Sequence, residues 1–128
     1  MSHFFNIDSE RVVVTARIYG PTSDTVVRLA LDTGSIGTVV HPDILTAIGY
    51  DLSQPSGQIR SVTASGIVTA SRLVMSRIVA LDRQREGFTV TCHALPAAAN
   101  VEGLFGLDFY RQQRRLIVDF HAGEVTVE

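Results

Sequence analysis

Lysine is absent from this chain: all eleven basic residues are arginine. They are scattered along the sequence, the net charge is −2, and no basic face stands out. That removes the electrostatic footprint of a nucleic-acid binder. Cysteine is nearly absent too. With Cys92 alone, an internal disulfide is impossible. Long hydrophobic runs are missing, since no segment reaches the roughly 18 apolar residues of a membrane-crossing helix. The opening MSHFFNIDSE lacks the basic-then-apolar pattern of a signal peptide. These absences lead us to expect a soluble, cytoplasmic protein, the alternative being a domain cut from a larger or anchored one. Metal-ligand spacing is lacking as well. His3, His41, His93 and His121 show no i, i+4 pairing, so neither a metal nor another cofactor is expected. Cys92 and His93 are neighbours, and on a strand they would point to opposite faces. That disfavours a Cys–His catalytic pair and leaves Cys92 as a small core residue.

What is present is apolar and β-branched. Hydrophobic residues make up 45% of 128 positions, enough for one domain, 1–128, with a real core. RVVVTARIY (11–19) and VVRLAL (26–31) read as a hairpin around the turn chemistry of GPTSDT (20–25). TVV (38–40) reads as a short buried strand. PDILTAIG (42–49) reads as a short helix with an early Pro and a Gly stop. After the loop 51–57, residues 58–81 form a long β-rich stretch broken near TASG (63–66). DRQREG (82–87) is expected as a charged turn, FTVTCHAL (88–95) as a strand and PAAAN (96–100) as a connection. The segment 103–120 holds a glycine-punctuated apolar run, a short helix and a strand. HAGE (121–124) then turns into VTV (125–127). Many short strands and few helices argue for an all-β barrel or sandwich.

Within this pattern LALDTGSIGTVV (29–40) poses a chemical question. An apolar strand runs into Asp32, turns on Thr33, Gly34 and Ser35, and returns to the core at Val39 and Val40. An ionised carboxylate at the end of a buried strand is costly unless paired or hydrogen-bonded. The bland role is a turn Asp that accepts local amides. Downstream, VEGLFGLDFYRQQRRLIVDF (101–120) contains the step Leu104-Phe105-Gly106, and Asp108 stands where a helix opens.

Together, in this order and about one domain apart, the two motifs resemble those of the retropepsin-like aspartic proteases. The resemblance spans roughly residues 11 to 127. It implies a closed acid-protease barrel, with one short C-terminal helix and a flap hairpin whose tip is Ala64, Ser65 and Gly66. Asp32 is then the catalytic residue. In this reading Ser35 adds a hydroxyl hydrogen bond, and Thr33 bonds across to the matching loop of a second copy. Asp108 caps the helix FYRQQ rather than supplying a second carboxylate. Asp119 is a solvent-facing or paired residue of the closing strand, and Arg111, Arg114 and Arg115 line a surface near the dimer contact. Aspartic protease chemistry needs two carboxylates sharing a proton. A chain with one Asp-Thr-Gly therefore implies a homodimer acting on peptide or protein substrates. The rival reading keeps the fold but uses it for dimerisation or peptide capture, with weak or no turnover.

Overall fold

Alternation decides the first long pairing. In VVTARIY, Val14, Ala16 and Ile18 are buried while Thr15 and Arg17 are exposed, the period of two of a half-buried strand. In this computed structural model, which describes residues 3–54, 57–63 and 66–128, that strand is β2 (Val13–Tyr19). It follows a two-residue β1 (His3–Phe4). β2 pairs antiparallel with β3 (Asp24–Leu31). The turn is shorter than 20–25. Asp24 and Thr25 already pair with Tyr19 and Ile18, and the Gly20 N–H donates to Ser23 O at 2.8 Å. Arg17 reaches Asp24 at 2.6 Å and so accommodates an acidic residue at the strand's start.

β4 (Val39–Val40) leads into α1 (Pro42–Ala47). Pro42 stands in the first turn, where its missing N–H is no loss. His41 caps the helix, its Nδ1 accepting from the Asp43 N–H at 3.1 Å, and Gly49 takes φ 106° just past the end. β5 (Gly57–Thr63) and β6 (Gly66–Ala80) pair antiparallel from Gly57↔Arg72 to Thr63↔Gly66. Gly66 opens β6 at φ 122°. Ala64 and Ser65, the rest of the expected tip, lie outside the described residues.

The segment 82–87 is not a charged turn. It is the first half of β7 (Arg83–Cys92), and the turn is Leu81–Asp82, between Ala80 and its partner Arg83. Both turn residues have positive φ, 51° and 59°. That is the two-residue connection whose twist matches the strands it joins. The arginines that suggested solvent share a face with the buried Ile78 and Ala80 through their pairings. Arg83 Nε donates to Gln113 Oε1 at 2.9 Å, and the Arg85 guanidinium lies 5.0 Å from the centroid of the Phe109 ring. Long stems cover apolar side chains while their heads find polar or aromatic partners. β7 also ends at Cys92, short of the expected 95.

After a single 3-10 turn (Ala97–Ala99) come β8 (Gly103–Phe105), α2 (Leu107–Tyr110), β9 (Leu116–Asp119) and β10 (Glu124–Val127). The strands order as β2-β3-β8-β4-β7-β6, and β6 pairs back onto β2 through Arg17↔Val79, Ile18↔Ile78 and Tyr19↔Arg77. The fold is therefore a closed, mostly β barrel, with β5 extending from β6 as the outer arm of the hairpin. Ile18, Leu29, Met75, Ile78, Phe105 and Phe109 fill its interior. Gly103 is required by closure: a Cβ there would fall 1.9 Å from Val39 O. The chain's own ends build a second sheet, β1-β10-β9, which sends Val125 and Val127 into the same core. Among the described residues no helix is long and apolar enough to cross a membrane.

Candidate active site

Asp32 directly follows β3, and its N–H donates to Phe105 O at 3.0 Å. That bond extends the parallel β3–β8 ladder by one step, so the two sequence motifs meet at the carboxylate. The chain then turns. The Ser35 N–H donates to Asp32 O at 3.2 Å, and the Gly34 N–H donates to Asp32 Oδ1 at 2.9 Å. A Cβ on Gly34 would sit 3.2 Å from that oxygen, closer than side chains normally pack. Glycine thus lets a backbone amide fix the carboxylate. Asp32 is half-buried, Thr33 and Gly34 are exposed, and Oδ2 accepts no hydrogen bond among the described residues. The Ser35 hydroxyl bonds elsewhere than to the carboxylate: it donates to Gly37 O at 2.7 Å and tightens the loop's return.

Beneath the loop lies a contact that sequence reasoning missed. Thr38 is fully buried. Its hydroxyl donates to Asp108 Oδ1 at 2.7 Å and accepts from the Gly106 N–H at 3.1 Å, while its own N–H donates to Asp108 Oδ2 at 3.0 Å. Asp108 is therefore not the helix cap. Gly106 occupies that position with no side-chain bond, and α2 is only Leu107–Tyr110. Both carboxylate oxygens are instead committed across the core. Two further bonds complete the brace, from the Leu107 N–H to Ser35 O at 2.9 Å and from the Asp108 N–H to Ile36 O at 3.1 Å. Gly106 lets the segments meet, since a Cβ there would lie 2.5 Å from Gly37 O. The sequence did carry one hint of Thr38, a lone hydroxyl at the head of a buried apolar pair.

Tyr110 closes this polar layer. Its buried hydroxyl donates to Phe105 O at 3.0 Å. Burial, and then the negative charges of Asp108 and Asp32, push its phenol far above the usual range, so it remains a neutral donor.

The remaining candidates separate from this centre. Cys92 is half-buried against the core and burial pushes its thiol up, while His93 is exposed. No group of His, Cys, Asp and Glu suited to a metal ion occurs among the described residues. Asp119 accepts from the His121 and Ala122 N–H groups at 3.0 and 2.8 Å and shapes the β9–β10 turn. Arg115 pairs with Glu128, and the Arg114 N–H donates to Glu128 O at 2.6 Å, so these residues fasten the chain's end.

Comparison with known proteins agrees with this geometry. Residues 14–109 match the family described as aspartyl protease. That span runs from β2 to α2 and contains both motifs. Among solved structures the chain is similar to a retropepsin-like aspartic protease from Rickettsia conorii. Identity is 13% and the TM-score 0.73, over 99% of this chain and 88% of that chain. No curated protein matches.

Proposed function

The chain belongs to the aspartyl protease family and has the retropepsin-like fold, and we propose that it is a homodimeric endopeptidase whose two Asp32 residues form the catalytic dyad. The observation that carries this reading is the held carboxylate. Asp32 Oδ1 is fixed by the Gly34 N–H, its loop is braced by Asp108 through Thr38, and Oδ2 is uncommitted among the described residues. The Gly34 bond alone would also suit a turn aspartate; the brace from Asp108 through Thr38 goes beyond what a turn requires.

Two such carboxylates brought about 3 Å apart cannot both ionise, so they share one proton. A water between them loses its proton to the ionised partner and attacks the peptide carbonyl. The protonated partner gives its proton to the carbonyl oxygen as negative charge develops there, which makes the tetrahedral product a neutral gem-diol. The gem-diol collapses when the carboxyl that took the water's proton gives it to the leaving nitrogen and the other carboxylate takes a proton from a gem-diol hydroxyl. The dyad returns to its shared state and the C–N bond breaks. The β5–β6 hairpin, whose outermost described pair is Thr63↔Gly66, would lie over an extended peptide and accept it as an added strand.

The test is a digest of a peptide library by the parent protein and by Asp32→Asn. Cleavage by the parent, lost in the variant at an unchanged unfolding midpoint, is the expected result. Equal cleavage by both rules out the mechanism. Binding of peptides without cleavage by either would favour a peptide-capture module.

A further inference from the structure

A cleft of about 260 Å³ opens beside the Asp32 loop, lined among others by Ile36, Arg72, Thr89, Thr91, Asp108 and Gln112. Its two carriers of charge differ. Both oxygens of Asp108 are engaged by Thr38. Arg72 is exposed, and among the described residues it has no carboxylate partner, unlike Arg17 with Asp24 and Arg115 with Glu128. Asp108 keeps its charge but its oxygens are already committed to hydrogen bonds, so the charged group left free to pair with a ligand in the cleft is the Arg72 guanidinium, flanked by two threonines and an amide.

Strand register ties this cleft to the catalytic loop. Arg72 pairs with Thr91, Thr91 with Val39, Val39 with Leu104 and Leu104 with Ala30. Paired residues stand on the same face of a sheet. One row thus crosses β6, β7, β4, β8 and β3, from Arg72 to the residue two before Asp32. Four strand spacings of about 4.8 Å make that row roughly 19 Å long. An extended peptide at about 3.3 Å per residue covers it in roughly six residues, fewer once the reach of the Arg72 side chain is counted. From the other side, Ile36 is four residues beyond Asp32 and lies at the cleft wall. A peptide lying across Asp32 can thus reach the cleft with a residue a few positions from its scissile bond.

We infer that Arg72 selects an acidic side chain on the bound peptide, seated in this cleft a few residues from the bond that Asp32 cleaves. The inference rests on the endopeptidase reading for its register but not for its measurement. A planar guanidinium offers a carboxylate two parallel N–H donors, and such a pair is stronger and more directional than a neutral hydrogen bond. Thr89, Thr91 and Gln112 supply further donors without adding positive charge. A basic residue in the same place would meet like charge.

Binding can be measured without turnover. The background is Asp32→Asn, and the probe is a fluorescent peptide library with Glu, Gln or Lys placed at each position in turn. With Arg72 intact, Glu at one position a few residues from the centre should bind about tenfold more tightly than Lys there. The ratio should shrink as salt rises. Arg72→Gln should flatten it and Arg72→Glu should invert it. If both variants keep the parent ratio, or if no position prefers Glu, the inference is wrong. A companion digest with the parent protein separates the two readings. A binding ratio governed by residue 72 without any cleavage would overturn the endopeptidase reading and leave the acid-selecting cleft standing. Cleavage insensitive to charge would do the opposite.

Discussion

A single buried hydroxyl holds the two motifs together. Thr38 serves Asp108 and Gly106 at once, and it lies six residues beyond Asp32. Thr38→Val keeps the shape but strips a donor from Asp108 Oδ1 and an acceptor from the Gly106 N–H. Leaving buried polar groups unpaired costs about 1–3 kcal/mol. Urea unfolding should show a loss of that size, and Thr38→Ser should recover most of it because the hydroxyl returns. A Val variant as stable as its parent would mean the Asp108 contact contributes nothing to the fold. The same residue marks a limit of sequence reading. Asp at the head of a helix is commonly a cap, and nothing within a few residues of Asp108 reveals a partner 70 positions earlier.

Between elements, the barrel closes through glycines and one tyrosine. Tyr50 follows α1, and its hydroxyl donates to Tyr19 O in β2 while accepting from the Ser76 N–H in β6 at 2.8 Å. It thus bridges β2 and β6 just beyond their last pair, Tyr19↔Arg77. Tyr50→Phe should lower stability by about 1–3 kcal/mol. It should also speed hydrogen exchange at Ser76 while leaving the β2–β3 pairs protected. Uniform exchange across both seams would show that the hydroxyl does not secure the closure. At this scale the sequence was legible where its signal was periodic or a stop. β2 and β3 announced themselves by alternation, and α1 by Pro42 and Gly49. It misled at 82–87, where charge suggested solvent. There the strand period, continuing through Arg83 and Arg85, outweighed the charge because both side chains lie along apolar neighbours.

Over the whole molecule, the proposed dyad would tie assembly to pH. Two chains that share a proton between their Asp32 residues would hold more protons together than apart, in the window between an ordinary aspartate and the raised pKa of the pair. By linkage their association strengthens as pH falls and weakens as pH rises. The limit is one proton per dimer, about a tenfold change in Kd per pH unit. Asp32→Asn has no like-charge pair to neutralise, so it should associate more tightly near neutral pH and lose that slope. The histidines, His3 near Asp82 at 3.7 Å among them, are common to both proteins and cancel in the comparison. Sedimentation of both across several pH values makes the measurement. Parallel curves would mean that the two carboxylates do not meet.

The sequence by itself determined what depends on neighbours along the chain. A period of two set the strands, Pro and Gly set the limits of α1, and Asp-Thr-Gly-Ser placed a carboxylate at a strand end where a glycine amide reaches it. These are consequences of backbone dihedrals and side-chain alternation, which act within a few residues. The tertiary structure decided which distant segments touch. It joined Asp108 to Thr38, paired β1 with β10, and set Arg72 and Ile36 around one cleft at the edge of the Asp32 loop. Those contacts follow from register and barrel closure. Each requires several strands to bury their apolar faces simultaneously, a condition that no local stretch of sequence states.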